Sequence, residues 1–353
     1  MERLTPLPWQ HEPWSQLVGC RPRLPHALLF HGPRGVGKRH LMRAFAQLLL
    51  CESPIDAAPC GRCIGCRLIG ADNHPDLRWL APAALMPDRD DAGEGDDAAE
   101  RSEVRANKAR PSREILIDQV RKISEFLSVS SHRGGRRVVL LTPAEALNAP
   151  AANALLKMLE EPPPEVAFLA VSDQLDAVLP TILSRCVLLR APLPTHAQAL
   201  AWLRSQGVER AEAKLAEAGG APCSIADETA RESQVLEPAL RETLIKLLGR
   251  GAALTGDQIV SSVPKDIAVA PAIRLLQRWG WDLLAERLAG RVRYYPQHQR
   301  QIATLARAIE PGRVVDWAAA LAQTQAVSDH PLNARLVIES ALLGYAEAMR
   351  AHR

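Results

Sequence analysis

The sequence predicts an α/β fold, in which a parallel sheet is followed along the chain by helical segments alone. A short apolar run ends at a glycine-rich loop, and a helical pattern follows at 39–50. Three further apolar runs, typical of buried strands, alternate with helical patterns. The predicted strands are residues 27–30, 136–142, 166–171 and 186–189. Because strands that alternate with helices form parallel sheets, we expect one sheet up to about residue 190.

The remaining pattern divides the chain into three predicted domains, 1–191, 192–235 and 236–353. Amphipathic spacing predicts helices from Ile115 to Leu127 and at 151–160, the second stopped by the prolines at 162–164. Residues 82–111 are polar and charged, which indicates a solvated insertion. After Pro192 and Pro194 no strand pattern occurs, and the last domain is expected to be all helical. Its tryptophans, Trp279, Trp281 and Trp317, are interpreted as packing residues.

Composition excludes several classes of function. The chain has 353 residues, a formal net charge of +3 and only 4% aromatic residues. A protein that grips nucleic acid by itself needs a basic face or aromatic stacking platforms, and this composition favours neither. No apolar run is long enough for a membrane span, and the first residues resemble no secretory signal. We therefore expect a multi-domain cytoplasmic protein without a membrane role.

Residues 31–39, HGPRGVGKR, nearly match the phosphate-binding loop G-x-x-x-x-G-K-[ST]. Gly32, Gly35 and Gly37 allow backbone N–H groups to converge on phosphates, and Lys38 would reach the outer ones. The last position is Arg39, where a hydroxyl would ligate Mg²⁺. The loop is thus a degenerate nucleotide site, and occupancy by ATP or ADP stays open beside a role as scaffold.

Acids needed for hydrolysis are also missing from their usual place. Hydrolysis requires carboxylates at the end of a neighbouring strand, to hold Mg²⁺ and position water. The strand at 136–142 ends in Thr142 and is followed by Pro143. Glu145 comes three residues after Thr142, in what the pattern assigns to the next helix. We expect no competent ATPase site in this chain.

Four of the seven cysteines predict a metal site. Cys51, Cys60, Cys63 and Cys66 fall within one short segment, and Gly61 and Gly65 allow tight turns between them. Four thiolates suit tetrahedral zinc in a structural site. An iron–sulfur cluster or free thiols remain alternatives, but the fourth cysteine is upstream here, unlike in ferredoxins. Cys20, Cys186 and Cys223 are interpreted as buried thiols.

These motifs occur together with N-A-L-L-K-M-L-E-E-P-P at 153–163 and T-I-L-S-R-C at 181–186. The combination resembles the bacterial clamp-loader ATPase family, the AAA+ subunits of the DNA polymerase III holoenzyme. The resemblance is specific over about residues 20–190 and covers the helical remainder only in layout. It implies an AAA+ sheet domain with a zinc knuckle, a small helical lid at 192–235 and an oligomerising collar at 236–353.

Within that family, the departures point away from the tau/gamma motor subunit. The motor's paired acids would fall at Thr142 and Pro143, and its loop hydroxyl at Arg39. The resemblance therefore implies a non-hydrolysing subunit that assists loading of the sliding clamp on primed DNA. It implies assembly with tau/gamma and delta subunits, and without membrane. Ser184 and Arg185 would supply an arginine finger in trans to a neighbour's nucleotide.

Three alternatives remain open. The chain could be an active tau/gamma-type ATPase that uses Glu145 or another acid. It could be a zinc-stabilised interaction module with no role in clamp loading. Arg185 could simply close a strand with a local ion pair, which is the more common role of such an arginine.

Overall fold

The computed structural model describes residues 3–86, 112–133, 135–226, 236–326 and 333–350. Most of the polar insertion predicted at 82–111 lies outside these ranges. The chain forms two compact units, residues 1–198 and 199–353, each with a hydrophobic core of its own. The expected boundary between lid and collar at 235 also falls outside the described residues and stays a prediction.

The first unit contains the parallel sheet. Its strands are β1 Ala27–His31, β2 Leu77–Leu80, β3 Arg137–Leu141, β4 Val166–Ser172 and β5 Val187–Arg190. The strand order is β2-β3-β4-β1-β5, and every neighbouring pair is parallel. The predicted α/β class is confirmed. With this order, the loops that follow β3, β4 and β1 open at one edge of the sheet.

The helices are as follows. In the first unit they are α1 His11–Cys20, α2 Lys38–Leu49, α3 Ile64–Gly70, α4 Ile117–Ser128, α5 Ala149–Glu160 and α6 Pro180–Leu183. Helix α7, His196–Ser205, crosses the boundary. The second unit has α8 Ala211–Glu217, α9 Cys223–Ala226, α10 Pro238–Leu248, α11 Gly256–Ser262, α12 Val269–Ala289, α13 Gln299–Ala308, α14 Pro311–Ala326 and α15 Ala334–Met349.

Helices cover both faces of the sheet. Successive side chains of a strand point to opposite faces, so Leu29 joins the core beneath α4 and α5, whereas Leu28 and Phe30 join the core beneath α1 and α2. All of β4 is buried, which explains its unbroken apolar sequence. These two cores fix the strand ends that carry the phosphate loop.

Several details differ from the sequence-based expectations. Strand β2 and helices α1 and α3 were not predicted, because they are short and interrupted by polar residues. Strand β5 begins at Val187 rather than Cys186. Glu145 lies in a short 3-10 helix, Ala144–Ala146, and α5 begins only at Ala149, because Asn148 caps it by accepting a bond from Ala151 N.

The second unit is built around α12. Trp279 is buried at its centre and donates from Nε1 to the Tyr345 hydroxyl at 3.2 Å. Trp317 packs against Gly280, where an added Cβ would lie 2.8 Å from the indole. Trp281, also interpreted as a packing residue, is 54% exposed and is not among the buried residues of this unit. In the described ranges, no helix has the length and apolar character needed to cross a membrane.

Candidate functional site

The loop between β1 and α2 has the backbone of a phosphate loop. Gly32, Gly35 and Gly37 have φ angles of 147°, 75° and 83°, in the region that favours glycine. Gly37 caps the N-terminus of α2, and Lys38 is its first residue. The predicted glycines and lysine therefore lie in the loop between β1 and α2 and at the first turn of that helix.

The lysine of the loop bonds to its own protein. The Lys38 ammonium donates to Gly32 O and Pro33 O, each at 2.6 Å, and lies 2.6 Å from Asp173 Oδ1. Only 3% of the lysine side chain is exposed. Because an ammonium has three N–H donors, these three contacts satisfy it completely. A phosphate could reach Lys38 only by displacing them.

Asp173 was not predicted from the sequence. Acids were expected only after β3, whereas Asp173 directly follows β4, which lies next to β1 in the sheet. The carboxyl ends of adjacent parallel strands meet at one edge, so strand order, once known, would have placed Asp173 beside the loop.

A segment before α1 also holds the loop. Trp9 Nε1 donates to Val36 O at 2.9 Å, and Gln10 Nε2 donates to Val36 O at 3.0 Å and to Gly37 O at 2.9 Å. Gln10 is fully buried. No local pattern in the sequence links Trp9 and Gln10 to this loop, and the contact becomes evident only from the fold. Their bonds fix the loop carbonyls in one orientation.

The positions that would serve Mg²⁺ are occupied otherwise. The Arg39 guanidinium lies over the Trp79 ring of β2, 4.8 Å from its centroid. Glu145 Oε1 accepts from the backbone N–H of Asp173 at 2.9 Å, which ties the turn after β3 to the end of β4. Its other oxygen, Oε2, is buried and has no partner within the described ranges. Glu145 thus lies at the edge of the sheet that carries the phosphate loop.

The four cysteines predicted as ligands do come together. Their Sγ atoms all lie within 4.8 Å of one another. The Sγ atoms of Cys51 and Cys63 are 3.9 Å apart, as are those of Cys60 and Cys66. Bonds of about 2.3 Å to a tetrahedral zinc place sulfurs roughly 3.8 Å apart, so the cluster can hold such an ion.

Local backbone structure builds this cluster. Backbone N–H groups of Cys60, Cys63 and Cys66 each donate to the preceding cysteine's sulfur at 3.3 Å. Gly65 is required, because a Cβ there would lie 2.5 Å from Leu50 O. Helix α3, which begins after Cys63, carries Cys66.

Protonation of these thiols differs by position. Backbone N–H groups of Arg62 and Cys63 lower the pKa of Cys60 to about 6, while burial raises the pKa of Cys51 and of Cys66. A metal cation would favour the thiolate at all four. The other three cysteines, Cys20, Cys186 and Cys223, were expected to be buried but are partly exposed.

Arg185 lies in the short connection between α6 and β5. Its Nη1 donates to Thr181 O at 2.9 Å and to Ser184 Oγ at 3.1 Å, and Nη2 lies 2.5 Å from Glu160 Oε1. One third of the arginine side chain is exposed. Ser184 and Arg185 are hydrogen-bonded to each other, and neither is among the residues that contact Lys38. The local ion pair considered from the sequence is present in this isolated chain.

A parallel sheet with a degenerate phosphate loop, a four-cysteine cluster and a Ser-Arg pair agrees with the resemblance to clamp-loader subunits noted from the sequence. Comparison with known proteins makes this specific. A family model described as "DNA polymerase III, delta subunit" matches residues 19–194. The chain is 36% identical over 309 residues to the DNA polymerase III subunit delta' of Pseudomonas aeruginosa, covering 83% of this chain and 79% of that one. The chain belongs to the DNA polymerase III delta' family.

Other proteins are similar to parts of this chain. The delta' subunit of Escherichia coli K12 is 33% identical over 211 residues, covering 59% of this chain and 55% of that one. The tau subunit of the same organism is 34% identical over 165 residues, covering 47% of this chain and 21% of its own length. A gamma subunit-related protein from Thermotoga maritima aligns structurally with a TM-score of 0.49 and 19% identity, over 97% of this chain and all of that one.

Proposed function

We propose that this chain is the non-hydrolysing, stator-like subunit of a DNA polymerase III clamp loader. The observation that carries the proposal is the state of Lys38, whose three donors all bond within the chain. A catalytic phosphate loop needs that ammonium free for the outer phosphates. The phosphate loop keeps its fold, but its lysine contacts Asp173 in place of a phosphate.

Residues around the loop also disfavour the binding of Mg²⁺. Arg39 replaces the hydroxyl ligand and its positive charge would repel Mg²⁺, while Thr142 and Pro143 replace the paired acids. Tight binding of ATP or ADP would require the buried Lys38 to leave its ion pair with the partly exposed Asp173, so the loop is proposed to serve as scaffold. Its ordered backbone positions the end of β4 and the turn at Glu145.

Arg185, one third of whose side chain is exposed, is the residue proposed to act on a nucleotide. Arg185 would reach the ATP of an adjacent tau/gamma motor and stabilise charge that develops on the transferred phosphoryl group. A guanidinium suits this role because it is always charged and presents several N–H groups in a plane. Ser184 would orient it through the bond to Nη1.

The four-cysteine cluster is proposed to hold a structural zinc. All four ligand positions are filled by protein, which leaves none open for a substrate or water. Zinc there would join Cys51, after α2, to Cys66 on α3, and so fix the connection between α2 and β2. Its contribution is to folding.

Partners follow from family membership and from charge. The second unit is proposed to include the collar that contacts tau/gamma and delta subunits. ATP turnover in the motors would open the sliding clamp and load it on primed DNA. A net charge of +3 suits a subunit whose DNA contacts are shared across an assembly.

The decisive test is R185A in a reconstituted loader containing motor and delta subunits. We expect a slower DNA-stimulated ATPase with assembly unchanged, measured by coupled phosphate release and size-exclusion chromatography. R121A is the control, because Arg121 also pairs with a carboxylate, Asp118, and is more exposed than Arg185. An R185A loader with the ATPase rate of the R121A loader would refute the trans role.

One observation favours an alternative function, the active motor. Glu145 lies at the edge of the sheet that carries the phosphate loop, and its Oε2 has no partner among the described residues, so this acid could position a water molecule there. The isolated chain should therefore be assayed with Mg²⁺-ATP and primed DNA, beside E145Q. Turnover that E145Q abolishes would replace the stator proposal; we expect none in either protein.

A further inference from the structure

Glu160 links the end of helix α5 to the exposed arginine. Glu160 is the last residue of α5, and its Oε1 lies 2.5 Å from Arg185 Nη2. The sequence suggested only a helix end followed by prolines. The structure assigns that helix end a partner on a different element.

The three contacts of Arg185 restrict the direction in which its guanidinium points. Nη1 donates to Thr181 O and Ser184 Oγ, both from the same turn, and among the described residues Glu160 is the partner that reaches the guanidinium from outside that turn, at Nη2. A guanidinium has five N–H donors, so among the described contacts two donors are left for another group. An incoming phosphate could bind those two without displacing Glu160.

Stability does not account for this ion pair. Half of the Glu160 side chain and a third of the Arg185 side chain are exposed. Such surface pairs contribute little to the stability of a fold. Orientation is a better account, because Glu160 is mounted on a helix whose Leu155 and Leu159 are buried against the sheet. A charged group on a rigid element can hold a flexible side chain in one geometry.

We propose that Glu160 is a positioning residue for Arg185 in the ATPase reaction of the neighbouring subunit. This inference rests on the proposed trans role of Arg185. Glu160 keeps the guanidinium extended toward the subunit interface before the neighbour's nucleotide arrives, so little reorganisation is needed in the transition state. It transfers no proton and contacts no substrate.

The chain offers a matched control beside it. Glu161 carries the same charge, is exposed and follows Glu160 directly. Its side chain has no hydrogen bond or ion pair within the part of the chain that the structure describes. E161Q therefore repeats the charge change of E160Q without touching Arg185.

The experiment compares E160A, E160Q, E161Q, R185A and the double variant E160A/R185A in the reconstituted loader. We expect E160A to remove at least half of the ATPase rate that R185A removes, through kcat with KM for ATP unchanged. E160Q should lose less, since its amide oxygen can still accept from Nη2. The double variant should match R185A alone, because Glu160 acts through that arginine.

The outcomes separate this inference from the proposed function. If R185A lowers the rate but E160A and E160Q behave like E161Q, the positioning role is refuted and the trans role stands. Losses that add in the double variant, or a rate raised by E160A, also refute it. If R185A has no effect, both fail. Should E160A impair assembly, the isosteric E160Q carries the comparison.

Discussion

The ammonium of Lys38 and the carboxylate of Asp173 lie 2.6 Å apart, and this ion pair ties the phosphate loop to the end of β4. The two residues belong to different strand ends, since Lys38 begins the helix after β1 and Asp173 follows β4. Their contact makes the lysine a structural residue here. In a hydrolysing loop, the same residue would bind phosphate.

K38M should therefore weaken the fold without altering loader activity. The substitution keeps most of the side-chain volume but leaves Asp173 and two carbonyls without their donor, which costs about 2–3 kcal/mol. Urea unfolding measures this loss. The matched control is R34M, since Arg34 also lies near Asp173, at 4.0 Å, but is exposed. A surface change of that kind is expected to stay within about 0.5 kcal/mol. A folded K38M loader with reduced ATPase would instead give Lys38 a catalytic role.

Metal removal should act on the cysteine segment. The purified protein is expected to contain one zinc per chain by atomic spectroscopy, lost on treatment with a strong chelator at mildly acidic pH. Loss should expose 51–66 to proteolysis while the sheet persists. C60S should lose the metal, whereas C20S should retain it, because Cys20 lies outside the cluster. Equal zinc in C60S and C20S would contradict the assignment of the ligands.

A side chain at position 280 is expected to destabilise the second unit. A Cβ there would lie 2.8 Å from the Trp317 ring, so G280A should lower the free energy of unfolding by about 1–3 kcal/mol through overpacking. The helix preference of alanine works in the opposite direction by up to about 1 kcal/mol. G312A separates the two effects, because a Cβ at Gly312 meets nothing within 4 Å. Urea unfolding should show G312A neutral or stabilised. A similar gain in G280A would mean that Trp317 moves freely.

Stability of the second unit should fall in mild acid through His298. Burial, and then the charge of Arg241, lower the pKa of this histidine, whose ring packs against Trp279. The unfolded chain binds a proton near pH 6.5, and the folded chain binds it only at lower pH. The free energy of unfolding is therefore lost as pH falls from about 6.5 toward the folded pKa. H298F keeps a ring but cannot titrate. The advantage of wild type over H298F, from urea unfolding followed by tryptophan fluorescence, should shrink from pH 8 to pH 5.5. A constant difference would contradict this.

The sequence predicted those parts that depend on local spacing. Apolar runs gave β1, β3 and β4, and the four cysteines were identified because metal ligands cluster at short intervals. Strand β2 escaped detection because its two central residues, Arg78 and Trp79, are not buried, as suits an edge strand. Its pattern therefore lacks the continuous apolar run of an interior strand.

Contacts between distant segments could not be predicted in the same way. Asp173 becomes the partner of Lys38 only through the strand order, and Glu160 meets Arg185 only because α5 ends beside the turn before β5. Neither pair has a local pattern in the sequence. Trp281 shows a different limit, because the presence of a tryptophan in a helix does not reveal whether it lies on the buried face.

The position of β1 between β4 and β5 has a consequence for folding. The strand that precedes the phosphate loop forms its backbone ladders only with segments at 166–172 and 187–190. Such non-local pairing raises contact order and slows formation of a sheet. During synthesis on the ribosome, β1 must wait unpaired until residues 166–172 have emerged, and its ladder with β5 forms only after residue 190. The loop cannot reach its lysine-bound form before Asp173 is available. The four cysteines, whose Sγ contacts with one another are local, can bind a metal while the sheet is still incomplete.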